Sequence, residues 1–181
     1  MSERLTVSQY LRGPEEMDRQ ELVWGFVLRE PAPSALHHQS AVTRALVLLG
    51  LHVTPRRLGK VLVSPTDVVL DEEKDLVLQP DVVFISQARR HIIRERVWGA
   101  PDLVVEVLSP RTRRRDCTDK RRWYRKYGVR EYWIVDPRRL SIDVLSFGDN
   151  RRTTRRTFHG SNRVRSTLLP DFDTRAETFF E

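Results

Sequence analysis

Glu106 is the residue whose chemistry most needs an explanation, because an acidic side chain interrupts an apolar run. It lies within Leu103–Leu108, whose β-branched content predicts a buried strand. Removing an ionised carboxylate from water costs several kcal/mol unless a cation or strong hydrogen bonds compensate it. Lys120, on the helix that follows, is the candidate cation to compensate this charge. A second carboxylate, Asp81, stands at the start of an upstream strand. Two carboxylates and a lysine at one point could hold a divalent metal ion against a phosphate.

Lys120 is set apart from the other cations of its helix by its position in the helical repeat. Cys117, Lys120, Tyr124 and Tyr127 recur at the spacing of one helical stripe, which predicts that they face the sheet. The remaining basic residues fall on other faces, where they suit solvent. We therefore expect Lys120 to reach the carboxylates, either as a catalytic group or as the partner in a purely structural buried ion pair.

Two Pro-Asp pairs, Pro80-Asp81 and Pro101-Asp102, compete to supply the second carboxylate. Asp102 precedes Glu106 by four residues in the same strand, which separates their Cα atoms by roughly 13 Å at ~3.3 Å per residue. One small ion cannot bridge that gap, because it binds oxygen at about 2.0–2.1 Å. Asp81 begins a different strand and can approach Glu106 from the side. Asp81 is therefore the predicted partner, and Asp102 is expected to cap or end its strand.

The elements that would position these groups are short strands with few helices. The predicted strands cover residues 21–29, 61–70, 76–85, 103–108, 131–135 and 140–147, with a polar turn at residues 71–75. The predicted helices cover residues 4–12, 34–49 with Ser34 as N-cap, 87–96, and 116–127 ended by Gly128. Residues 174–180 fit a short helix or a strand. This order predicts one α/β or α+β domain over residues 1–181, with a mixed sheet flanked by helices.

Composition narrows the class of protein. The chain has 181 residues with 39% hydrophobic side chains, enough for one globular domain. A formal net charge of +7 favours a polyanionic partner such as nucleic acid. One cysteine excludes an internal disulfide framework, no apolar leader is evident, and the longest apolar run, residues 45–49, is too short for a bilayer. We therefore expect a soluble, cytoplasmic protein with no membrane partner.

Arginine clusters are the candidate contacts with a polyanion. Arg113, Arg114 and Arg115 stand beside the predicted site and could bind phosphate, although a solvated helix face and a basic loop would have the same composition. A second basic stretch, residues 151–165, fits either a DNA-contacting hairpin or an exposed strand edge blunted by charge. Both alternatives stay open for each cluster.

Four polar residues are expected to support the site. Asp67 begins a strand that could approach the acids, and Ser109 directly follows the central acidic strand. Tyr124 shares the helix face of the lysine. His38 lies near the apolar stripe of the first long helix, which favours a core or rim histidine over a ligand. The other histidines are scattered, so no zinc motif is present.

Three runs of sequence together resemble one known family. They are Gln79–Ile85, Gly99–Pro110 and the segment from Asp116 to Pro137. This pattern is similar to the Uma-two family of restriction endonucleases, in the PD-(D/E)xK nuclease superfamily, and the similarity extends from about residue 5 to residue 180. It implies a restriction-endonuclease-like core, a mixed sheet flanked by helices with a Mg²⁺ site at one end.

The resemblance also implies roles for individual residues. Asp81 matches the Asp of the PD motif, and Glu106 matches the acid of the second motif. Leu108 occupies the place of that motif's lysine, which implies that the lysine has moved to the next helix as Lys120, in agreement with the helix-face argument. Glu21 matches the first acidic motif of the family and would complete the metal shell, directly or through water.

The expected function is therefore Mg²⁺-dependent hydrolysis of phosphodiester bonds in DNA, with Mn²⁺ as a substitute ion and RNA as the other candidate substrate. Asp81, Glu106 and Lys120 form the expected catalytic set. Cutting both strands of a duplex favours a homodimer. The alternative is a non-catalytic, basic nucleic-acid-binding protein that keeps a nuclease-like fold.

Overall fold

Short strands and few helices make up the fold, a computed structural model of which describes residues 4–14, 18–30, 35–148 and 152–181. The strands are β1 (Arg19–Val23), β2 (Phe26–Glu30), β3 (Gly59–Val63), β4 (Val68–Asp71), β5 (Leu76–Leu78), β6 (Val82–Ser86), β7 (Val97–Trp98), β8 (Leu103–Val107), β9 (Glu131–Asp136), β10 (Ser141–Phe147), β11 (Thr153–His159), β12 (Arg163–Val164) and β13 (Thr174–Arg175). The helices are α1 (Val7–Leu11), α2 (Leu36–Val53), α3 (Arg113–Arg115) and α4 (Arg121–Tyr127), with a π-helical turn at Asp116–Lys120 and 3-10 turns at Gln87–Ile92 and Ala176–Phe179. Within the described ranges, no helix is long and apolar enough to cross a membrane.

Two mixed sheets hold most of these strands. The five-stranded sheet A has the order β2-β1-β5-β4-β7, the six-stranded sheet B has the order β11-β10-β9-β8-β6-β3, and β12 pairs with β13. The β4–β7 and β8–β9 pairs are parallel. The other pairs are antiparallel. The mixed α/β class predicted from the sequence is confirmed, with two large sheets where the sequence indicated one.

Strands β3, β4, β5 and β6 form a bent antiparallel ribbon that runs between the two sheets. The predicted continuous strands over residues 61–70 and 76–85 are wrong, because each one breaks in the middle. Pro65 and Pro80 lie at the breaks, where a residue without a backbone N–H interrupts the ladder. β3 and β6 pair in sheet B, β4 and β5 pair in sheet A, and the predicted polar turn joins β4 to β5. The ribbon therefore begins and ends in one sheet and has its tip in the other.

The predicted strand over residues 21–29 is also wrong, because this segment forms a hairpin. β1 and β2 pair in antiparallel register throughout. Trp24 (φ 54°) and Gly25 (φ 85°) form the two-residue turn, and positive φ at both positions suits the twist of such a hairpin. The apolar alternation continues through the turn, so the reversal of the chain leaves little trace in the hydrophobic pattern.

The helix that follows β8 begins earlier than predicted. It starts at Arg113 rather than Asp116 and runs through the π-helical turn into α4. It ends at Tyr127, and Gly128 adopts the left-handed conformation (φ 98°) that the sequence predicts for the residue after the last turn. The early start extends the helix by the whole Arg-Arg-Arg segment and brings that segment close to the end of β8.

The π-helical turn changes which residues face the sheet. Asp116, Lys120 and Tyr124 are buried, whereas Cys117 and Tyr127, which belong to the predicted stripe, are only half-buried. A π turn places its hydrogen bonds five residues apart and widens the helix, so residues on either side of it follow different stripes. The predicted stripe, which begins at Cys117, includes Lys120 and Tyr124 but leaves out Asp116, four residues before Lys120.

Two apolar clusters cover the two faces of sheet B. α2 packs on one face through Ala41, Ala45 and Leu49, against residues that include Val105 and Trp133. The opposite face packs against strands of sheet A and against α4. Every residue of β8 is therefore buried, as its apolar sequence predicts.

Other elements differ from the sequence predictions in detail. α2 spans Leu36–Val53 rather than residues 34–49, and the predicted N-cap Ser34 lies outside the described residues. The predicted helix over residues 87–96 is a 3-10 turn over Gln87–Ile92. The C-terminal segment, which the sequence left open between helix and strand, contains both β13 and a 3-10 turn.

The second basic stretch forms an edge of sheet B. β11 is the outermost strand, and its Arg155 and Arg156 are exposed. Arg155 Nη2 lies 2.6 Å from Asp143 Oδ2 on the neighbouring strand. The position matches the charged-edge interpretation of this stretch, and contact with DNA stays a prediction. Residues 149–151 lie outside the described residues.

A pair of glycine variants tests the close contact that β3 makes with β6. A Cβ added at Gly59 would meet the backbone carbonyl of Ile85, which cannot move without breaking the strand pair. We expect Gly59→Ala to lower the free energy of unfolding by about 1–3 kcal/mol. Gly50→Ala is the matched control, because nothing lies within 4 Å of its added Cβ and the residue is inside α2. That control should raise stability by about 0.5–1 kcal/mol in urea unfolding, and equal effects of both changes would contradict the contact.

Candidate active site

Asp81 and Glu106 lie side by side where β6 and β8 pair. The antiparallel register sets Val82 opposite Val105, and continuing it by one residue sets Asp81 opposite Glu106. The Asp81 Oδ2 atom accepts a hydrogen bond from the Val107 N–H (2.7 Å). Both acids are almost inaccessible, with exposed fractions of 3% for Asp81 and 1% for Glu106.

Asp102 lies at the other end of β8. Its Oδ2 accepts a hydrogen bond from the Ser86 N–H (2.8 Å), and its Oδ1 lies 3.4 Å from Arg89 Nη1. The side chain therefore ties the start of β8 to the end of β6. It lies at its strand's end, as the sequence predicts, and takes no part in the acid pair.

Lys120 reaches the acids from the π-helical turn. Its Nζ lies 2.9 Å from Glu106 Oε1 and 2.9 Å from Glu21 Oε1. Tyr124, one turn later, donates its hydroxyl to the same Glu106 oxygen (2.7 Å). The structure thus brings Asp81, Glu106 and Lys120 to one point, with Tyr124 beside them.

Arg19 completes the acid pair, although no motif in the sequence marks it. Its Nη1 lies 3.0 Å from Asp81 Oδ1, its Nη2 lies 3.2 Å from Glu106 Oε2, and Nη2 also donates to the Gln79 carbonyl. The guanidinium therefore bridges the two acids. A weak signal is present in the sequence, because Arg19 precedes Glu21 by two residues and alternate residues of a strand share a face.

Glu21 contacts Lys120 and two further partners. Its Oε1 accepts a hydrogen bond from the Gln79 N–H (3.0 Å), and its Oε2 lies 2.6 Å from Arg115 Nη1. In the part of the chain that the structure describes, no group of three or more His, Cys, Asp or Glu side chains is placed to hold a metal ion. A place for Glu21 in a metal shell, directly or through water, stays a prediction, and each of its oxygens contacts a basic or N–H partner.

The predicted supporting residues lie at different distances from the acids. His38 is buried, with Nε2 3.8 Å from Asp81 Oδ2. Asp67 is one step removed, because its Oδ1 accepts from Gln79 Nε2 (2.9 Å) and the Gln79 backbone in turn contacts the site. Ser109 makes its hydrogen bonds within the turn that precedes α3 and does not contact the acids.

Two of the three arginines predicted to contact phosphate are engaged by carboxylates. Arg113 Nη1 lies 2.7 Å from Asp136 Oδ2. Arg115 pairs with Glu21, and its guanidinium also lies 5.7 Å from the centre of the Trp123 ring. Arg114 is exposed. A role in phosphate contact stays a prediction for all three, with Arg114 the most accessible.

Burial opposes ionisation of both acids in the pair, and the neighbouring charges decide the outcome. For Glu106, the charges of Lys120 and Arg19 outweigh burial and lower the pKa. For Asp81, burial raises the pKa, and repulsion from Glu106 adds to it against the attraction of Arg19. The pair therefore divides its roles, with Glu106 as the firmly ionised member and Asp81 as the more easily protonated one.

Lys120 keeps its positive charge, whereas Asp116 lies near its titration point at neutral pH. Burial opposes the Lys120 ammonium, but Glu106 and Glu21 outweigh that effect and raise the pKa of Lys120 above its usual value. Burial raises the pKa of Asp116 to about 7, against the attraction of Lys120 at 3.6 Å. Lys120 therefore cannot act as a neutral base, and it serves the site as a fixed cation.

The site is balanced in charge when Asp116 is protonated. Burial opposes ionisation of Glu21, but Lys120 and Arg115 outweigh it and lower its pKa to about 2. When Asp81 is ionised, three acids face three cations: Glu21, Asp81 and Glu106 against Arg19, Lys120 and Arg115. Such a balance explains how a cluster this dense can be buried.

The donor set of the acid pair fits a divalent metal ion. Asp81 Oδ1 contacts Nη1 and Glu106 Oε2 contacts Nη2 of the Arg19 guanidinium, so both oxygens face the position of one cationic group. Carboxylate oxygens are the ligands that Mg²⁺ and Mn²⁺ prefer, and Mg²⁺ is commonly held by one or two carboxylates. Arg19 occupies that position with its own charge. A metal ion bound there would have the same two oxygens as ligands.

Comparisons with known proteins point in one direction. The family model Uma2, described as "Putative restriction endonuclease", matches residues 7–177. The crystal structure of "a putative nuclease belonging to DUF820" from Anabaena variabilis ATCC 29413 is similar, with a TM-score of 0.80 and 18% sequence identity over 97% of each chain. Identity this low shows a shared fold. No curated protein matches the chain.

The titration of Asp116 makes a prediction about stability and pH. Its pKa rises on folding from an ordinary value of 3.8 to about 7, so between these values the native state holds a proton that the unfolded state has lost. Asp116 therefore contributes stability that is complete at low pH and is lost as pH rises through about 7. Asp116→Asn removes this titrating group, because an asparagine side chain stays neutral across the whole pH range. The difference in unfolding free energy, wild type minus variant, should fall between about pH 4 and pH 7 in urea titrations and stay level above that range. A difference independent of pH would contradict the raised pKa.

Proposed function

The chain belongs to the Uma2 family, and from that premise we propose that it is a Mg²⁺-dependent endonuclease that hydrolyses phosphodiester bonds in DNA. One observation carries the proposal: two buried carboxylates, Asp81 and Glu106, converge on one cation position beside Lys120, which stays charged. A stability role alone accounts poorly for this arrangement, because buried ion pairs often gain little over apolar side chains of the same size.

Asp81 and Glu106 would bind Mg²⁺ through the two oxygens that now contact Arg19. The ion would supply an activated water and charge stabilisation at the phosphate. In the reaction, the water oxygen forms a bond to phosphorus as it loses a proton, one ester P–O bond breaks, and the leaving oxygen gains a proton. The products are a phosphomonoester end and a hydroxyl end. Lys120 stabilises the negative charge of the phosphate oxygens with its ammonium group and remains protonated throughout.

The residues around the lysine fix its position. Glu106 and Glu21 each hold Nζ at 2.9 Å, and Asp116 lies at 3.6 Å. Tyr124 holds the Glu106 oxygen that faces the lysine, which leaves the other Glu106 oxygen directed at the cation position. Glu21, in this proposal, positions Lys120 and is not a metal ligand.

A second candidate function, nucleic-acid binding without catalysis, is favoured by one specific observation. Every oxygen of Asp81 and Glu106 already has a partner in the protein. Both acids are nearly inaccessible to solvent. A chain that never exchanges Arg19 for a metal ion would bind DNA through its net charge of +7 and leave it intact. Dimerisation stays a prediction under either function.

Cleavage of supercoiled plasmid is the direct test of the proposed function. Wild-type protein should nick the plasmid with Mg²⁺ and not with EDTA, and Glu106→Gln should lower the rate by at least about a thousandfold, because one metal ligand and the lysine's partner are both altered. Glu131→Gln is a matched control. It changes another fully buried glutamate, which accepts from Trp133 and Thr167 away from the site.

The Glu131 variant should keep its rate per folded molecule, even if its unfolding midpoint falls. Equal nicking by wild type and Glu106→Gln would reject this mechanism. Binding of the plasmid with no nicking under any divalent ion would favour the non-catalytic alternative.

Competition between Arg19 and the metal ion gives a test that does not need activity. Arg19→Gln leaves two carboxylates without their shared cation, so metal-free protein should be less stable and Mn²⁺ should bind roughly tenfold more tightly at pH about 8. Arg113→Gln is the control, since it removes an ion pair of 2.7 Å that lies outside the acid pair. Titration calorimetry and thermal unfolding measure both effects. Identical Mn²⁺ affinities for wild type and Arg19→Gln would show that the ion does not bind at this position.

A further inference from the structure

A basic cavity of about 230 Å³ lies where β8 and β9 end. Its lining includes Arg113, Asp136, Arg138 and Arg139. β8 and β9 run parallel, and the carboxyl ends of adjacent parallel strands form a common place for ligands in α/β proteins. The cavity is smaller than pockets that enclose a drug-sized molecule, so it suits one anionic group and not a whole ligand.

The cavity adjoins the acid pair through two chain segments. Val107, whose N–H binds Asp81, directly precedes the cavity residue Leu108. His38, which lies 3.8 Å from Asp81, directly follows the cavity residue His37. Three residues of extended chain separate Glu106 from Ser109, a distance of roughly 10 Å. A nucleic-acid strand with one phosphate at the acids could therefore place a neighbouring phosphate in the cavity.

The charges in the cavity do not balance. Three arginines, Arg113, Arg138 and Arg139, line the cavity together with one carboxylate, Asp136. Arg113 pairs with it at 2.7 Å, and Arg139 approaches only to 3.8 Å with 72% of its side chain exposed. Three cations and one anion leave an excess of two positive charges, which an anion from outside would neutralise.

Asp136 also fixes the loop that carries two of these arginines. Its Oδ1 accepts hydrogen bonds from the backbone N–H groups of Arg138 (3.1 Å) and Arg139 (3.2 Å). Asp136 itself is buried, with an exposed fraction of 4%. The loop is therefore held in place before any ligand arrives, while the two exposed guanidinium groups remain accessible.

The larger cavity elsewhere in the described structure does not compete for this role. It has a volume of about 440 Å³. Its charged lining residues are three acids and three bases: Asp18, Asp67 and Glu95 with Lys60, Arg94 and Arg96. A balanced lining of this kind gives no preference for a polyanion.

We propose that the cavity at the ends of β8 and β9 binds a backbone phosphate of the nucleic acid, adjacent to the phosphate at the acid pair. The identity of the ligand rests on the proposed function, whereas the preference for an anion rests on the charges of the cavity. Arg138 and Arg139 make the contact, and Asp136 positions them. The contact is with phosphate, so it is independent of base sequence.

Salt-dependent binding of the double variant Arg138→Gln/Arg139→Gln tests this site. Binding of a labelled DNA duplex is measured by fluorescence anisotropy in EDTA, so that no cleavage can occur, at about 50 to 200 mM salt. Loss of one phosphate contact should reduce the slope of log K against log salt by about 1 and raise Kd roughly tenfold, equally for unrelated sequences. Arg138→Lys/Arg139→Lys keeps both charges and should retain most of the slope.

The matched control is Arg56→Gln/Arg57→Gln, which removes the same charge. These exposed arginines follow the far end of α2, whose last residue, Val53, lies about 24 Å along the helix from His37 at ~1.5 Å per residue. The control pair should leave the slope unchanged. An equal loss of slope in both pairs would reduce the effect to net charge and overturn the proposal, and so would no loss in the cavity pair.

The outcomes separate this proposal from the proposed function. A slope lost only in the cavity pair supports the phosphate site, even if no variant and no wild-type protein nicks DNA. Nicking by wild type with an unaffected slope in the cavity pair overturns the site and leaves the endonuclease intact. The same titration with an RNA duplex identifies which polynucleotide supplies the phosphate, and a specific loss with either one supports the site. Thermal unfolding verifies that each exposed substitution leaves the fold unchanged.

Discussion

Neutralisation of the buried Glu106 carboxylate is the constraint on which the rest of the site depends. The residue lies in the middle of sheet B, where an unpaired charge costs several kcal/mol. Its two oxygens take their cations from different parts of the chain: Arg19 from sheet A and Lys120 from the π-helical turn. One carboxylate therefore draws the two sheets and the following helix together. The chemistry of the site and the packing of the fold have the same centre.

The sequence predicted the acids and the lysine because each stands in a simple pattern. A charge inside an apolar strand identified Glu106, strand geometry selected Asp81 over Asp102, and the helical repeat singled out Lys120. The structure brings these groups together at the positions expected of them. The mixed α/β class could be predicted for the same reason, since it follows from the order of local patterns.

The parts that escaped prediction depend on tertiary structure. Apolar alternation does not show to which sheet a strand belongs. The segments that bend at Pro65 and Pro80 were therefore predicted as continuous strands. Arg19 enters the site only because β1 pairs with β5, in the part of the ribbon that belongs to sheet A, a contact between distant segments. Asp116 was missed because the predicted stripe began at Cys117, and the contacts of Glu21 with Lys120 and Arg115 were not foreseen because a motif gives spacing without direction.

The bent ribbon has a consequence for how the molecule unfolds. The chain crosses between the sheets twice at the same place, once before β4 and once after β5, and the Ser64 N–H donates to the Asp81 carbonyl (2.9 Å) where the crossings meet. Neither sheet can peel away while the other stays whole, because two short tethers of covalent chain join them at that point. The molecule should therefore melt cooperatively, in one step. Separate unfolding transitions of sheet A and sheet B are therefore not expected.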